Sequence, residues 1–361
     1  MLEYENLARL NAPFLAQYQD KFAEIAQKGW YILGNEVSLF EREFADYCGA
    51  RYCVGVANGL DALTLSLRAC AFPPQSEILV PANTYIATIL AVLQAGHIPV
   101  LVEPDIRTYN LDDKLVEAKI TAKTKAIMPV HLYGRLCAMP EILSLAQKYQ
   151  LKIIEDAAQA HGAALNGRRA GAWGDLTAFS FYPTKNLGAL GDGGAVTTDN
   201  AEYAERLKAL RNYGSSQKYY NAMLGVNSRL DEVQAGFLRI KLKSLDKINA
   251  HKNKLAAIYQ AELPGQFIKP WVAPEYYHVY HIYNIRHPER DRLKKYLAQQ
   301  GIKTEIHYPV APNKQQALRG ILAQLATPLA EEIHRTTLTL PLSYAHTETD
   351  ILHVCKILKK F

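Results

Sequence analysis

The run Ser180-Phe181-Tyr182-Pro183-Thr184-Lys185-Asn186-Leu187-Gly188 sets a lysine among small and aromatic residues. Upstream, the apolar stretch 151–154 leads into Glu155-Asp156-Ala157-Ala158-Gln159, so a predicted strand delivers a carboxylate. A lysine amine can hold an aldehyde cofactor as a Schiff base, and a carboxylate can keep a pyridine nitrogen protonated. Lys185 and Asp156 together therefore indicate a pyridoxal phosphate site, and with it a candidate transaminase. The plainer role for Asp156 is to cap the next helix.

Outward from these two segments, short β-branched runs alternate with helical patterns. Seven runs are predicted to be strands: Tyr52–Ala57, Glu77–Pro81, Pro99–Val102, Lys125–Val130, Leu151–Glu155, Thr177–Phe181 and Ala195–Thr198. Apolar spacing predicts helices over Leu60–Ala71, Ile86–Gln94 and Pro140–Tyr149, and two amphipathic segments around residues 14–25 and 37–47. The alternation predicts an α/β fold with a large, mostly parallel sheet, whose ligand lies at the carboxyl ends of the strands.

The pattern changes after residues 212–216. A long helix is predicted from about Leu230 to Leu263, because no proline interrupts it and Pro264-Gly265 ends it. We predict a large domain over residues 1–240 and a small α+β domain over residues 241–361, with this helix bridging them.

Composition limits the classes of function. The 361 residues are 49% hydrophobic and 21% charged, with a formal net charge of +6. The start of the chain lacks the pattern of a secretory signal, and the longest apolar stretch, 86–102, contains polar residues. We expect a cytoplasmic protein with no membrane partner.

The basic and sulfur-containing residues suggest no further class. Five lysines on the long predicted helix are expected to form a solvated face: Lys241, Lys243, Lys247, Lys252 and Lys254. No motif indicates a nucleic-acid partner. The five cysteines have neither metal-ligand spacing nor a disulfide framework, so we expect buried thiols and no metal site.

Other candidate residues follow the predicted strands. Gln159 lies about one helical turn beyond Asp156 and could hydrogen-bond a ring hydroxyl, where the plainer interpretation is a surface glutamine. Tyr85 stands at a strand-to-helix junction and could stack on a flat ring, although a tyrosine there often only packs. The turn at Gly59 opens a helix whose amides favour a phosphate, and Ser180 is a second candidate phosphate contact.

Taken together, these segments resemble the sugar aminotransferases of the DegT/DnrJ/StrS family, which are pyridoxal phosphate enzymes. The resemblance covers nearly the whole chain. It is most specific at residues 179–194 and at Asn227-Ser228-Arg229-Leu230-Asp231-Glu232-Val233-Gln234-Ala235, and it includes Ile306-His307-Tyr308-Pro309. It implies the aspartate aminotransferase-like architecture of fold type I.

The resemblance also implies a role for each matching position. Lys185 is then the Schiff-base lysine and the acid/base, Asp156 the pyridinium partner, Gln159 the ring-hydroxyl contact and Tyr85 the stacking residue. Gly59, Ser180 and Asn227 match phosphate contacts, and Asn227 would reach the cofactor of a neighbouring subunit in a homodimer with shared sites. From the residues alone, Asn227 reads as a helix N-cap. Leu60 departs from the family, whose members often carry a hydroxyl there, so phosphate binding at this turn must use backbone amides.

The branch that the chain looks most like acts at C-3 of dTDP-linked 3-keto-6-deoxyhexoses, with L-glutamate as the implied amino donor. Five side chains are candidate contacts to the nucleotide-linked keto sugar: Tyr182, Lys218, Tyr219, His307 and Tyr308. Amination at C-4 is the alternative within the family. A sugar dehydratase of this family would usually carry histidine at the lysine position, and a non-catalytic nucleotide-sugar-binding regulator would not require Lys185, Asp156 and Gln159 together.

Overall fold

The computed structural model describes residues 1–217, 219–322 and 324–361. Its α-helices are α1 Leu7–Asn11, α2 Leu15–Lys28, α3 Asn35–Cys48, α4 Gly59–Cys70, α5 Ile86–Gln94, α6 Asp113–Val116, α7 Met139–Tyr149, α8 Ala201–Leu210, α9 Glu232–Leu242, α10 Leu245–Glu262, α11 Arg290–Gln299, α12 Arg319–Leu322, α13 Pro328–Thr336 and α14 Glu348–Leu358. Its strands are β1 Tyr52–Val56, β2 Glu77–Pro81, β3 Ile98–Val102, β4 Thr124–Ile127, β5 Lys152–Asp156, β6 Ala164–Leu165, β7 Arg168–Arg169, β8 Leu176–Ser180, β9 Gly194–Thr198, β10 Ser215–Gln217, β11 Tyr220–Asn221, β12 Tyr276–Tyr277, β13 Tyr283–Arg286 and β14 Thr337–Leu340.

The main sheet has seven strands in the order β1-β9-β8-β5-β4-β2-β3. The pairs from β8 to β3 are parallel, whereas β9 runs antiparallel to both β8 and β1. The predicted α/β fold with a mixed, mostly parallel sheet is therefore confirmed. Each of the seven predicted strands is present. The largest difference is at β4, which ends at Ile127 rather than Val130 because Pro129 has no N–H to donate.

Both faces of this sheet are covered, which explains why its strands are continuous apolar runs. Leu79 of β2 packs with α3, α7 and α9, whereas its neighbours Ile78 and Val80 pack with α4, α5 and α8. All three side chains are buried. The alternation along one strand therefore holds two helical layers together.

The C-terminal part of the chain has its own core. The helices α10, α11 and α14 pack on the antiparallel pair β13–β14, around Leu255, Ile285 and Leu338. The division at residue 240 stays a prediction, since Leu245, at the start of α10, packs in the core of the main sheet.

The long helix predicted over 230–263 is wrong as a single element. The chain forms two helices, and the break lies at Lys243 and Ser244, where Ser244 has φ −108° and ψ 1°. The break lets Leu242 pack under the main sheet while Leu255 packs in the C-terminal core. Tertiary packing thus bends the segment at a point that carries no glycine or proline.

The solvated lysine face is wrong at two of its five positions. Lys243, Lys247 and Lys254 are exposed, but Lys241 and Lys252 are buried. Each buried ammonium donates to oxygen atoms: Lys241 to Gly188 O and Asn11 Oδ1, and Lys252 to Asn186 Oδ1 and His281 O. A buried lysine of this kind has the same spacing as a surface one, so the sequence pattern did not separate them.

The first residues of the chain run against the C-terminal part. Leu2 pairs with the segment 301–303, with Leu2 N donating to Gly301 O at 2.8 Å. Glu3 O accepts from His346, and the ring of Tyr4 lies 6.0 Å from that of His307. This N-terminal arm, residues 1–6, therefore reaches one of the candidate site residues.

Other features of the described residues bear on the excluded classes. No helix among them has both the length and the apolar character needed to cross a bilayer. Over the same residues, no group of histidine, cysteine and acidic side chains could hold a metal ion. Four of the five cysteines are buried, Cys70 is half-buried, and all five are free thiols.

Candidate active site

The candidate residues meet at one edge of the main sheet. Gly59 follows β1, Tyr85 follows β2, Asp156 ends β5 and Ser180 ends β8. These strands run in one direction, so their carboxyl ends lie along the same edge. The edge brings together residues that are far apart in sequence, as the strand pattern predicted.

Asp156 is buried, and its carboxylate is oriented by two hydrogen bonds. Thr88 Oγ1 on α5 donates to Oδ2 at 2.8 Å, and Ala158 N donates to Oδ1 at 3.1 Å. The second bond closes a turn; the described chain continues from β5 to β6 without a helix, so the interpretation of Asp156 as a helix cap is wrong. Desolvation raises the pKa of Asp156, while these hydrogen bonds and the positive charge of Lys185 oppose the rise. A cationic group placed against this carboxylate would keep it ionised.

Lys185 lies in the loop between β8 and β9 and is half-buried. Within the described residues its amine forms no hydrogen bond, so the nitrogen is free to react. Desolvation lowers the pKa of Lys185 to about 8, against the attraction of Asp156 and Glu5. A larger share of the amine is therefore neutral near physiological pH than for a solvated lysine.

Gln159 is buried, not a surface residue, and joins two other parts of the site. Its Oε1 accepts from Tyr133 N at 2.6 Å, and its Nε2 donates to the hydroxyl of Tyr308 at 2.9 Å. The ring of Tyr308 lies 4.9 Å from the ring of Tyr85, which is 51% exposed. One amide proton of Gln159 Nε2 remains for a ligand.

Gly59 and Ser180 form a close contact that has no room for a side chain. A Cβ built on Gly59 would lie 2.6 Å from Ser180 Cβ. The glycine therefore lets the start of α4 approach the end of β8, and Asn58 caps that helix through Asp61 N. Helix amides, a serine hydroxyl, a buried carboxylate and an unbonded lysine amine are a donor set that fits pyridoxal phosphate.

Asn227 is not a helix N-cap, so that interpretation is wrong. Helix α9 begins at Glu232 and its N-cap is Asp231, four residues beyond Asn227. The carboxylate of Glu232 accepts from Gly34 N and Val37 N at the start of α3. The backbone of Asn227 pairs with Asn212, and its side chain is exposed. That side chain is available to a second subunit, and its role in phosphate binding stays a prediction.

The candidate substrate residues fall into two groups. Tyr182 and Tyr219 are exposed, and Lys218 lies outside the described residues. His307 and Tyr308 are half-buried beside the cofactor candidates, with His307 Nδ1 and Thr339 Oγ1 2.9 Å apart. The hydrogen bond from Gln159 makes Tyr308 part of the same constellation.

Several residues of the site escaped the sequence reasoning. Thr88 donates a hydrogen bond to Asp156. The helical spacing along α5 was the sequence feature that could have indicated which way its side chain points. His131 is buried 2.8 Å from Glu155, and its backbone N donates to Asp156 O. Desolvation opposes a charge on His131, but the interactions with Cys137 and then Glu155 outweigh it and raise the pKa of His131 to about 10. The sequence positions of His131, Glu155 and Asp156 do not indicate that these residues are in contact.

The matches to known proteins agree with this geometry. A family model described as the DegT/DnrJ/EryC1/StrS aminotransferase family covers residues 15–359. The chain belongs to this family. It is 51% identical over 362 residues to a dTDP-3-amino-3,6-dideoxy-alpha-D-galactopyranose transaminase of Aneurinibacillus thermoaerophilus, covering 100% of this chain and 99% of that protein.

Solved structures of aminotransferases have the same architecture. DesV of S. venezuelae, solved in complex with a ketimine intermediate, has a TM-score of 0.96 and 44% identity, over 98% of this chain and 96% of that one. NtdA from Bacillus subtilis, with bound cofactor PMP, has a TM-score of 0.91 and 30% identity, over 98% and 84%. The expected family and fold type are confirmed.

Proposed function

We propose that this protein is a pyridoxal phosphate-dependent aminotransferase that transfers an amino group from L-glutamate to C-3 of a dTDP-linked 3-keto-6-deoxyhexose. The observation that carries the proposal is the 51% identity, over the full chain, with a transaminase named for a dTDP-3-amino sugar. The assembled pair of Lys185 and Asp156 supports the same chemistry.

Each residue of the site has a specific task in this reaction. Bound pyridoxal phosphate supplies an aldehyde for the amino group and a pyridine ring that withdraws electrons. Asp156 would hold a proton on the ring nitrogen, and Thr88 orients its carboxylate. Gln159 Nε2 would donate to the ring hydroxyl, and Tyr85 would cover one face of the ring. The amides at Gly59 and Leu60, with the hydroxyl of Ser180, would bind the phosphate.

Lys185 moves the proton. Its Nζ would hold the aldehyde of the cofactor and, as a free amine, would accept the proton from the substrate carbon that bears the amino group. A base needs its lone pair, and the pKa of about 8 leaves part of the amine neutral at pH 7.5. Tyr182, Lys218, Tyr219, His307 and Tyr308 are the proposed contacts to the nucleotide sugar.

The active enzyme is proposed to be a homodimer in the cytoplasm, with Asn227 of each subunit completing the phosphate site of the other. Large exposed hydrophobic side chains precede Asn227 in the chain and support a surface that a second subunit covers: Tyr213, Tyr219, Tyr220 and Leu224. Five free thiols fit a reducing compartment.

The test begins with the lysine. Lys185→Ala should lose the cofactor that borohydride fixes covalently, and glutamate-dependent turnover should fall about a thousandfold or more. Lys148→Ala, at an exposed lysine paired with Glu117, is the matched control and should keep both. Wild-type turnover by Lys185→Ala would contradict the proposal.

The substrate is tested with a panel of dTDP-linked keto sugars and L-glutamate. Amination of the 3-keto sugars but not the 4-keto sugars supports the C-3 assignment. The reverse preference would make the protein a C-4 aminotransferase of the same family. Dehydration without amination, or binding without loss of the visible cofactor band on addition of glutamate, would support the dehydratase or the regulator instead.

A further inference from the structure

A second lysine, Lys252, is buried and is hydrogen-bonded to the loop that carries Lys185. Lys252 of α10 is buried, and its ammonium donates to Asn186 Oδ1 at 3.0 Å and to His281 O at 2.9 Å. Asn186 follows Lys185 directly in the chain. The acceptor of this hydrogen bond is therefore the residue next to the reactive lysine.

Asn186 is fixed on its other side as well. Its Nδ2 donates to Asn249 Oδ1 at 2.7 Å and to Val279 O at 2.9 Å. Asn249 is on α10, one helical turn before Lys252, and its own Nδ2 donates to His161 O at 2.9 Å. The loop that carries Lys185 is thus anchored from α10 through a network of buried polar side chains.

The charges around Lys185 come from several elements. Asp156 on β5 and Glu5 on the N-terminal arm attract its proton. Desolvation lowers the pKa of Lys252 on α10 to about 8, against the attraction of Glu5, and the repulsion between Lys252 and Lys185 adds to this lowering. Lys241 on α9 shares with Lys252 and Lys185 the attraction of Glu5.

Three histidines also face the amine, and all are neutral at physiological pH. Desolvation lowers the pKa of His161 to about 3 and that of His307 to about 4, and it lowers the pKa of His281 well below its usual value. Lys185 adds to each of these shifts. Among the groups facing Lys185, the histidines therefore contribute no positive charge.

The two lysines differ in what holds their protons. The ammonium of Lys252 has two hydrogen-bond acceptors, whereas the amine of Lys185 has none among the described residues. Hydrogen bonds to the charged form favour that form. Burial lowers the pKa of both lysines to about 8, and the two acceptors favour Lys252 as the residue that stays charged when the pair loses a proton.

We propose that Lys252 is a positioning residue for Lys185, anchoring the reactive loop through Asn186 and placing a hydrogen-bonded positive charge behind the amine. This inference rests on the proposed function, because it assigns a role in the reaction of Lys185 with its cofactor. Removing the charge of Lys252 should raise the pKa of Lys185. A smaller fraction of its amine would then be neutral, and able to act as a nucleophile, at neutral pH.

The test measures cofactor capture instead of turnover. Full-length protein freed of cofactor is mixed with pyridoxal phosphate from pH 6 to pH 10, and the rate is followed by visible absorbance. The wild-type rate should rise as the Lys185 amine loses its proton. Lys252→Gln and Lys252→Met should move the midpoint of that rise up by about one pH unit. Gln keeps a hydrogen-bond donor, so it retains more of the packing than Met.

Three further variants separate charge from structure. Lys252→Arg keeps the charge and should keep the wild-type midpoint. Lys254→Met removes an exposed lysine two residues along α10, paired with Glu348, and should leave both rate and midpoint unchanged. Asn186→Ala cuts the anchor, but His281 O still accepts from the Lys252 ammonium and keeps its charge in place, so this variant should slow capture with little change in the midpoint.

Each outcome decides a different point. If Lys252→Gln and Lys252→Met keep the wild-type midpoint, the role of the charge is overturned. It is also overturned if the midpoint of Lys252→Arg shifts as far as theirs. If the Met variant does not fold, the Gln and Arg variants decide the matter. A wild-type capture rate in Asn186→Ala would overturn the anchoring. The site of capture is mapped after borohydride reduction. If wild-type protein captures no cofactor at Lys185, the proposed function itself is wrong, whatever the Lys252 variants do.

Discussion

At the scale of single residues, the chemistry of the site depends on one buried carboxylate remaining ionised. Desolvation raises the pKa of Asp156, and the largest opposing interaction is the hydrogen bond from Thr88. Thr88 Oγ1 is in turn 2.7 Å from Thr84 Oγ1. Thr84 and Thr88 therefore help to orient the carboxylate of Asp156 toward a cofactor.

Thr88→Val should preserve the shape of the side chain and remove this hydrogen bond. The pKa of Asp156 should rise further, so the carboxylate would hold a proton on the ring nitrogen less well. We expect the half-reaction with glutamate to slow by about tenfold to a hundredfold, the value of a hydrogen bond to a charged group. Stopped-flow loss of the visible cofactor band measures it.

Thr84→Val is the matched control. It removes the bond between the two threonines and leaves the one from Thr88 to Asp156, so the rate should change by less than about threefold. Equal losses in both variants would mean that the helix start, not the hydrogen bond to Asp156, carries the effect.

The sequence predicted those residues whose role follows from strand position. Asp156, Tyr85 and Ser180 each end or follow a strand, and the sheet brings them to one edge as expected. Thr88 and His131 were missed because their partners are reached only in three dimensions. The N-cap prediction for Asn227 was wrong because α9 begins later, at Glu232, with Asp231 as its N-cap.

At the scale of helices and strands, the sequence was informative where an element is buried on both faces. The strand β2 is an apolar run bounded by turns, and its predicted limits are those observed. The segment 230–263 was mispredicted, because its break at Ser244 comes from packing against two cores. The same packing buries Lys241 and Lys252, which the helical pattern placed on the surface.

The buried lysine of α9 gives a prediction on stability. Desolvation lowers the pKa of Lys241 to about 8 in the fold, from the usual 10.5. Between these values the unfolded chain binds more protons than the folded one, so this group makes stability rise with pH across that window. Relative to Lys241→Met, the wild-type free energy of unfolding should increase by up to about 3 kcal/mol from pH 8 to pH 10.5.

Urea unfolding of cofactor-free protein at four pH values in this window tests the point. Titrating cysteines and tyrosines are common to both proteins and cancel in the difference. Lys243→Met, at the exposed end of the same helix, should give a difference that does not depend on pH. A constant difference between wild type and Lys241→Met would rule out a titrating lysine at this position.

At the scale of the whole molecule, the site is built from distant parts of the chain. Residues 1–6 return to the C-terminal part through Leu2 and Glu3, and Tyr4 approaches His307. Tyr133 also donates to His307 O, at 2.5 Å, so the main sheet and the segment 306–309 meet at the site. The described part of this chain thus brings most of the candidate residues together, while the side chain of Asn227 is exposed.

A shared site predicts complementation between two defective proteins. Lys185→Ala lacks the reactive amine, and Asn227→Ala lacks the side chain proposed to reach the partner's phosphate. In a mixed dimer, one site combines both defects, and the other combines an intact Lys185 with an intact Asn227. Equal amounts, mixed after reversible dissociation, should form mixed dimers as about half of the population and restore about a quarter of wild-type activity. The assay uses limiting pyridoxal phosphate, at which Asn227→Ala alone should be weakly active. Activity no higher than the average of the two separate proteins, or a wild-type monomer by sedimentation, would exclude the shared site.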